Sequence, residues 1–334
     1  MQLVRLRLLQ PKTLSLGLWL FALAMLVLVA MHLPLATLLQ LIAELSAGQW
    51  LCWILLNIAI ILIAVQRWQV LIRLLQFPIG FSRLLAIRQA GQAISFITPG
   101  PQFGGEPLQV FWLWKRNGFA LHSALLAVGL DRFYELWINF AVLLLSALLL
   151  LATRHASGDY WLEIIAMLCG LLLLLSLLVW LLLSQPQRLS NWLKPLTRRW
   201  HQHPRLKNSE MHWQQLGSEI KRVVKTQKPG LLLAIGWSLL GWVALLGELW
   251  LLLNFFSAEV SIADFLLIFV AMRLSFLLPL PGGIGTLEAA ILWSCQSLGV
   301  ETSAALGVIA LMRLRDLVVL AAGLIFWRSL QSAK

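Results

Sequence analysis

Apolar residues run along this chain in long unbroken blocks, not in the alternating or three-to-four spacing of a soluble core. The blocks fall at 14–33, 51–66, 123–153, 161–184, 231–254, 264–278 and 303–327. Most approach the ~20 apolar residues that carry an α-helix through a bilayer. The pattern therefore predicts an all-α, polytopic membrane protein with about 7–8 transmembrane helices. Block 14–33 occupies the place of a signal peptide but has no small-residue cleavage site, and further spans follow. It is read as a retained span.

Two stretches break the pattern. Pro99, Pro101, Gly104, Gly105 and Pro107 interrupt 80–119, and Pro279, Pro281, Gly282, Gly283 and Gly285 interrupt the region before the short apolar run 286–298. Each reads as two half-helices meeting at a turn. Non-helical backbone at membrane depth has to be buried in protein or line a wet cavity, because lipid cannot satisfy its polar groups. A re-entrant hairpin and a full crossing built of two halves both meet that condition. If 286–298 crosses, the C-terminus is cytoplasmic, as Arg328 and Lys334 favour.

The two breaks also match each other. Ser95-Phe96-Ile97-Thr98-Pro99-Gly100-Pro101 pairs with Ser275-Phe276-Leu277-Leu278-Pro279-Leu280-Pro281. After a one-residue insertion, Gly104 pairs with Gly285, Gly118 with Gly299, Ala124 with Ala305 and Arg132 with Arg313. The chain is thereby divided into a first membrane repeat (1–184, broken near 94–116), a basic cytoplasmic loop (185–230) and a second membrane repeat (231–334, broken near 279–298). Broken apolar segments at corresponding positions of two halves point to a transport site.

Composition agrees with a membrane chain: 60% of residues are hydrophobic and 12% charged, against about 25% charged in a soluble domain. The net charge of +12 would suit a nucleic-acid binder, but its distribution argues otherwise. Arg5, Arg7 and Lys12 precede the first block, and Arg67, Arg73, Arg83 and Arg88 follow the second. Ten further bases fill 185–230, from Arg188 to Lys228, whereas the alternate loops carry Glu44, Asp159, Glu163 and Glu259 with Arg154 as their base. This is the positive-inside bias, with a cytoplasmic N-terminus in an inner (plasma) membrane. The loop itself fits either amphipathic helices on the inner leaflet or a solvated basic linker. Many of the 17 tryptophans sit near block ends, as interfacial belt residues do.

Ionisable residues inside apolar segments are costly, so they mark function or structure. Asp131, Arg132 and Glu135 cluster in one block, and Arg313, Arg315 and Asp316 in the last. On a helix Arg132 meets Glu135 at i,i+3 and Asp131 meets Glu135 at i,i+4. Internal ion pairs that fix helix packing would account for either cluster alone; two clusters, each beside a break, favour a substrate role. Gly104, Gly105, Gly282 and Gly283 open half-helices whose free N–H groups suit an anion such as a lipid phosphate, with Glu106 and Glu288 close by. A packing kink is the plainer account of such turns. Glu248 and Arg273 stand isolated in apolar segments, where they pair or line one cavity. The histidines 201, 203 and 212 lack metal-ligand spacing, and no Walker, zincin or nucleophile-elbow motif is present. No metal, cofactor or ATP-driven pumping is expected.

Pro99-Gly100-Pro101-Gln102-Phe103-Gly104-Gly105-Glu106, the Asp131-Arg132 pair, Pro279-Leu280-Pro281-Gly282-Gly283-Ile284-Gly285-Thr286-Leu287-Glu288 and Arg313 resemble the lysylphosphatidylglycerol synthase transmembrane-region family, also called flippase-like. The resemblance spans nearly the whole chain. It implies lipid translocation, of an anionic phospholipid or a polyprenyl-linked lipid. Synthase members add a soluble aminoacyl-transferase domain; this sequence ends at Lys334, directly after the last block, and lysyl transfer is not expected. The expected substrate contacts are Arg132 and Arg313 to the phosphate, backbone donors from Gly104, Gly105, Gly282 and Gly283, and Asp131, Glu135, Glu106, Glu288 and Asp316 orienting the arginines, binding a cationic headgroup or coupling to protons. Two rivals are an intramembrane enzyme on lipid-linked substrates with Glu106 and Glu288 as acid and base, and a non-catalytic partner that recruits a lipid-modifying enzyme through 185–230.

Overall fold

The computed structural model describes residues 35–98, 104–153, 160–184, 209–278 and 281–332. The block at 14–33, the bases at 5–12, the prolines 99, 101 and 279, and the loop residues 185–208 lie outside the described residues; so do the side chains of His201, His203 and His212. All regular structure described is helical: α1 (Leu35–Ala43), α2 (Ala47–Leu74), α3 (Phe81–Ile97), α4 (Glu106–Arg116), α5 (Leu121–Ala152), α6 (Tyr160–Ser184), α7 (Ser209–Thr226), α8 (Lys228–Phe255), α9 (Ile262–Ser275), α10 (Thr286–Ser297) and α11 (Thr302–Ser332), with a 3₁₀ turn at Pro281–Gly283.

Four described helices are long and apolar enough to cross a membrane: Ala47–Leu74, Leu121–Ala152, Trp161–Leu181 and Lys228–Phe255. The 28 residues of α2 extend about 42 Å at 1.5 Å per residue, more than the ~30 Å hydrocarbon layer. Its start is fixed by a reciprocal cap, in which Ser46 Oγ accepts from Gln49 N–H and Gln49 Oε1 accepts from Ser46 N–H. In α6 the side chains of Leu173, Leu174, Leu177 and Trp180 are all more than half exposed, and only 6% of its most apolar window is buried. Such a surface is stable against lipid tails and not against water. Two expected spans differ. Helix α9 has 14 residues, about 21 Å, too short to cross alone. Helix α11 has 31, but its charged triad interrupts the apolar run.

Helix is interrupted at both breaks. Helix α3 ends at Ile97 and α4 starts at Glu106, while α9 ends at Ser275 and α10 starts at Thr286. The long helices pack as two main pairs, α2 along α8 and α3 along α11, with α5 bridging to α6, α4 and α9.

Burial is organised around two apolar cores. One holds Ile138–Leu150 of α5, Trp242–Leu253 of α8, and much of α9, α10 and the first half of α11. The other holds Val65–Leu75, Leu84–Ala90, Trp112, Leu113, Ala124–Val128, Ala234 and Leu330. Helix α5 leaves the second core at Val128 and enters the first at Ile138; α11 leaves the first at Met312. The charged residues of both helices fall in these gaps, so a polar belt separates the two cores.

Part of the basic loop is helix α7, whose Ile220 and Val223 are buried in the second core. Glu219 accepts from the Ser123 hydroxyl at the start of α5 (3.1 Å), and Arg222 donates to Gln76 after α2 (3.3 Å). This portion is a docked helix, not a solvated linker.

Candidate functional site

At the first break, Gly104 (φ 138°) and Gly105 bring the chain against α3. A side chain at Gly105 would overlap the Gly91 carbonyl, and one at Gly104 would overlap Thr98. The Gly105 N–H donates to Ser95 Oγ (2.9 Å), and the Gly104 N–H donates to Glu106 Oε2 (2.7 Å). The other Glu106 oxygen lies 2.7 Å from Arg132 Nε, and Arg132 Nη1 donates to Glu135 Oε2 at 2.8 Å. One arginine thus ties the turn to the middle of α5.

The second break repeats this set of contacts. Gly285 (φ 85°) donates its N–H to Glu288 Oε2 (2.9 Å), and Glu288 Oε1 accepts from Arg313 Nε (2.6 Å). Arg313 Nη1 donates to Asp316 Oδ2 and to the Gly282 carbonyl, both at 3.0 Å. Its Nη2 donates to Glu288 Oε2 (2.8 Å) and the Gly283 carbonyl (3.1 Å). All five guanidinium N–H groups are engaged. The positive φ of Gly282 (57°) and Gly283 (61°) turns both carbonyls toward this one side chain, a conformation that L side chains rarely adopt.

Asp131 takes a different course from its neighbour Arg132, because consecutive helix positions point about 100° apart. The residue is 4% exposed, and its carboxylate accepts from Arg67 Nε on α2 (2.9 Å) and Arg88 Nη1 on α3 (2.5 Å). Glu135 Oε2 lies 3.7 Å from Arg67 Nη2 and 4.0 Å from Arg88 Nη2. Arg67 and Arg88, counted from sequence among the cytoplasmic bases, are buried inside the fold at 7% and 5% exposure. Their apolar flanks, Val70-Leu71-Ile72 after one and Ala86-Ile87 with Ala90 around the other, carried that signal. In the second half Arg315 donates to Glu248 (2.7 Å) and to Asp316 (3.2 Å). Glu248 therefore pairs with Arg315 and not with Arg273. The Arg273 guanidinium instead lies over Trp242, 4.6 Å from the ring centre, and 5.9 Å from Phe269.

The expected site residues therefore gather into two arginine–carboxylate clamps, one at each break, plus an Asp131 cluster that joins α2, α3 and α5. Backbone donors at Gly104 and Gly105 are used inside the chain, and Gly282 and Gly283 contribute carbonyls to Arg313. Among the described residues, no group of three or more His, Cys, Asp or Glu side chains is arranged to hold a metal ion.

Residues 5–323, which include both breaks and both clamps, match the family described as lysylphosphatidylglycerol synthase TM region. The chain belongs to this family. It is also similar to a UPF0104 membrane protein of Methanothermobacter thermautotrophicus, 24% identical over 275 residues that cover 78% of this chain and 79% of the relative. Membership makes this an integral membrane protein of that family, and the four spanning helices agree with it.

Proposed function

We propose that the protein is a lipid translocator of the inner membrane, with a cytoplasmic N-terminus, and that it passes the headgroup of a phospholipid or polyprenyl-linked lipid between two related membrane halves. The observation that carries this reading is the duplicated clamp. Arg132–Glu106–Gly104 with Glu135, and Arg313–Glu288–Gly285 with Asp316, are the same construction at the two broken segments. The matching sequence motifs support a repeat of 1–184 and 231–334 around this belt.

The chemistry follows from exchange. Arg313 holds Glu288 in the form in which it would hold a phosphodiester, a planar fork against two oxygens, while Arg132 meets one oxygen each of Glu106 and Glu135. A headgroup entering the belt displaces a carboxylate from one arginine and passes to the other, while Asp131, Glu135, Glu106, Glu288 and Asp316 keep the vacated positions neutral. Acyl or isoprenoid tails stay in lipid. A cleft of about 200 Å³ between α2, α3 and α11, lined by Ile58, Leu62, Leu85, Val318 and Phe326 with Gln89, suits a tail beside the belt.

Reconstitution in vesicles with headgroup-labelled lipids tests the reading. Loss of outer-leaflet label should be fast with the native chain and absent with Arg132→Ala or Arg313→Ala that remain folded. Retained movement in both variants refutes the assignment.

A further inference from the structure

Six arginines occupy or border the belt. Five of them, Arg67, Arg88, Arg132, Arg313 and Arg315, each lie within 4.0 Å of two carboxylates. Arg273 is the exception. Among the described residues it has no ion-pair partner, and its buried Nε–H finds no acceptor. The charges that act on it are Arg315, Glu248 and Glu135, and both of those carboxylates are bonded to other arginines. Arg273 as a whole is half-buried, and an ionisable residue without an ion-pair partner inside a membrane protein marks a functional site by default.

Its surroundings fix its orientation. Arg273 stands in the last turn of α9, directly before the second break. Trp242 covers one face of the guanidinium, with Phe269 beyond. Stacking on an indole fixes the plane of the fork and leaves the N–H edge for an oxyanion, which it grips through two parallel hydrogen bonds. Arg132 and Arg313 accept a phosphate only by releasing a carboxylate, and parting a buried pair is strongly unfavourable. Arg273 accepts one without breaking any ion pair.

We infer that Arg273, stacked on Trp242, is the first binding site for the phosphate of a lipid headgroup entering the belt. This inference rests on the translocator reading and names the group that receives its substrate. The shared chemistry is a phosphate oxyanion, carried on a lipid or free in solution.

The test is equilibrium binding to the full chain in detergent, read by native mass spectrometry. Phosphatidylglycerol, diacylglycerol and inorganic phosphate are the three probes. The native protein should bind phosphatidylglycerol about tenfold more tightly than diacylglycerol, as expected for one charge-assisted contact of roughly 1.4 kcal/mol. Arg273→Gln should remove that preference without changing diacylglycerol binding, and Arg273→Lys, which keeps the charge but loses the fork and the stack, should retain only part of it. An unchanged preference in folded Arg273→Gln overturns the site; if that variant does not fold, an unchanged preference in Arg273→Lys does so. Displacement of the lipid by millimolar inorganic phosphate would overturn the headgroup as its ligand. Vesicle assays separate the two levels. Arg273-dependent binding without lipid movement refutes the translocator and keeps the site, whereas movement with Arg273-independent binding does the reverse.

Discussion

Removing the Asp131 carboxylate tests whether its ion-pair cluster holds α2, α3 and α5 together. Asp131→Asn keeps the shape and deletes the charge. In the folded protein that charge meets Arg67 at 2.9 Å and Arg88 at 2.5 Å, with side chains 8%, 6% and 6% exposed for Arg67, Arg88 and Asp131. Glu135, at 3.7 and 4.0 Å, is the remaining nearby anion and is already bonded to Arg132. Two buried guanidiniums are then left with a fraction of their counter-charge. Breaking a buried pair by truncating one side typically costs ~3–5 kcal/mol. At roughly 2–4 °C per kcal/mol for a unit of this size, the melting temperature should fall by about 10 °C. Thermal unfolding in detergent, followed by circular dichroism and by intrinsic tryptophan emission, reads this directly. The double variant Asp131→Asn/Arg88→Gln removes a charge of each sign, and its loss should be smaller than the sum of the two single losses by ~1 kcal/mol or more. A melting temperature within a degree or two of the native protein, or strict additivity in the cycle, would falsify the argument that this cluster is a buried, coupled unit.

Other substitutions reach other parts of the structure. Gly105→Ala drives a methyl group into the Gly91 carbonyl and should cost ~1–3 kcal/mol by overpacking, visible as a lowered melting temperature; Gly236→Ala, with open space at its position, is the matched control. Arg313→Lys keeps the charge but cannot serve Glu288, Asp316 and two carbonyls at once, so lipid movement in vesicles should slow by about tenfold or more, and native rates in this variant would remove Arg313 from the mechanism. Ile220→Asp puts a charge into the second core and should undock α7, seen as faster amide exchange across 209–226 with the long helices unchanged. Ser46→Ala deletes the cap of α2 and should lower stability by ~1 kcal/mol, with no effect on headgroup binding.

Much of this was legible in the sequence, and the limits have a physical cause. Long apolar blocks marked the spanning helices, and Pro/Gly clusters marked both breaks, because each is a local signal. Arg132–Glu135 and Arg313–Asp316 were readable from helix spacing for the same reason. The partners of Asp131 were not, since Arg67 and Arg88 lie 64 and 43 residues away and helix periodicity says nothing about which helix stands opposite. Counting charges for topology then set both arginines on the surface, although their apolar flanks placed them inside. Glu106 and Glu288 were singled out near the glycines, but their bonds to the turn N–H groups depend on the backbone path, which composition does not encode. Glu248 and Arg273 looked equally isolated in sequence; packing gave one an arginine and the other a tryptophan face.

The ion pairs of the belt also bear on how the chain is made. Among the described residues, Arg67 and Arg88 pair with Asp131 and Glu135, and Arg132 pairs with Glu106 and Glu135; in a second set, Arg313 and Arg315 pair with Glu248, Glu288 and Asp316. None of these ion pairs joins the first set to the second. Synthesis proceeds from the N-terminus at roughly 5–20 residues per second, so α2 to α5 emerge before α8 to α11. With Glu106, Asp131 and Glu135 all upstream of residue 136, Arg67, Arg88 and Arg132 have counter-charges in the bilayer while the ribosome is still working on the second half.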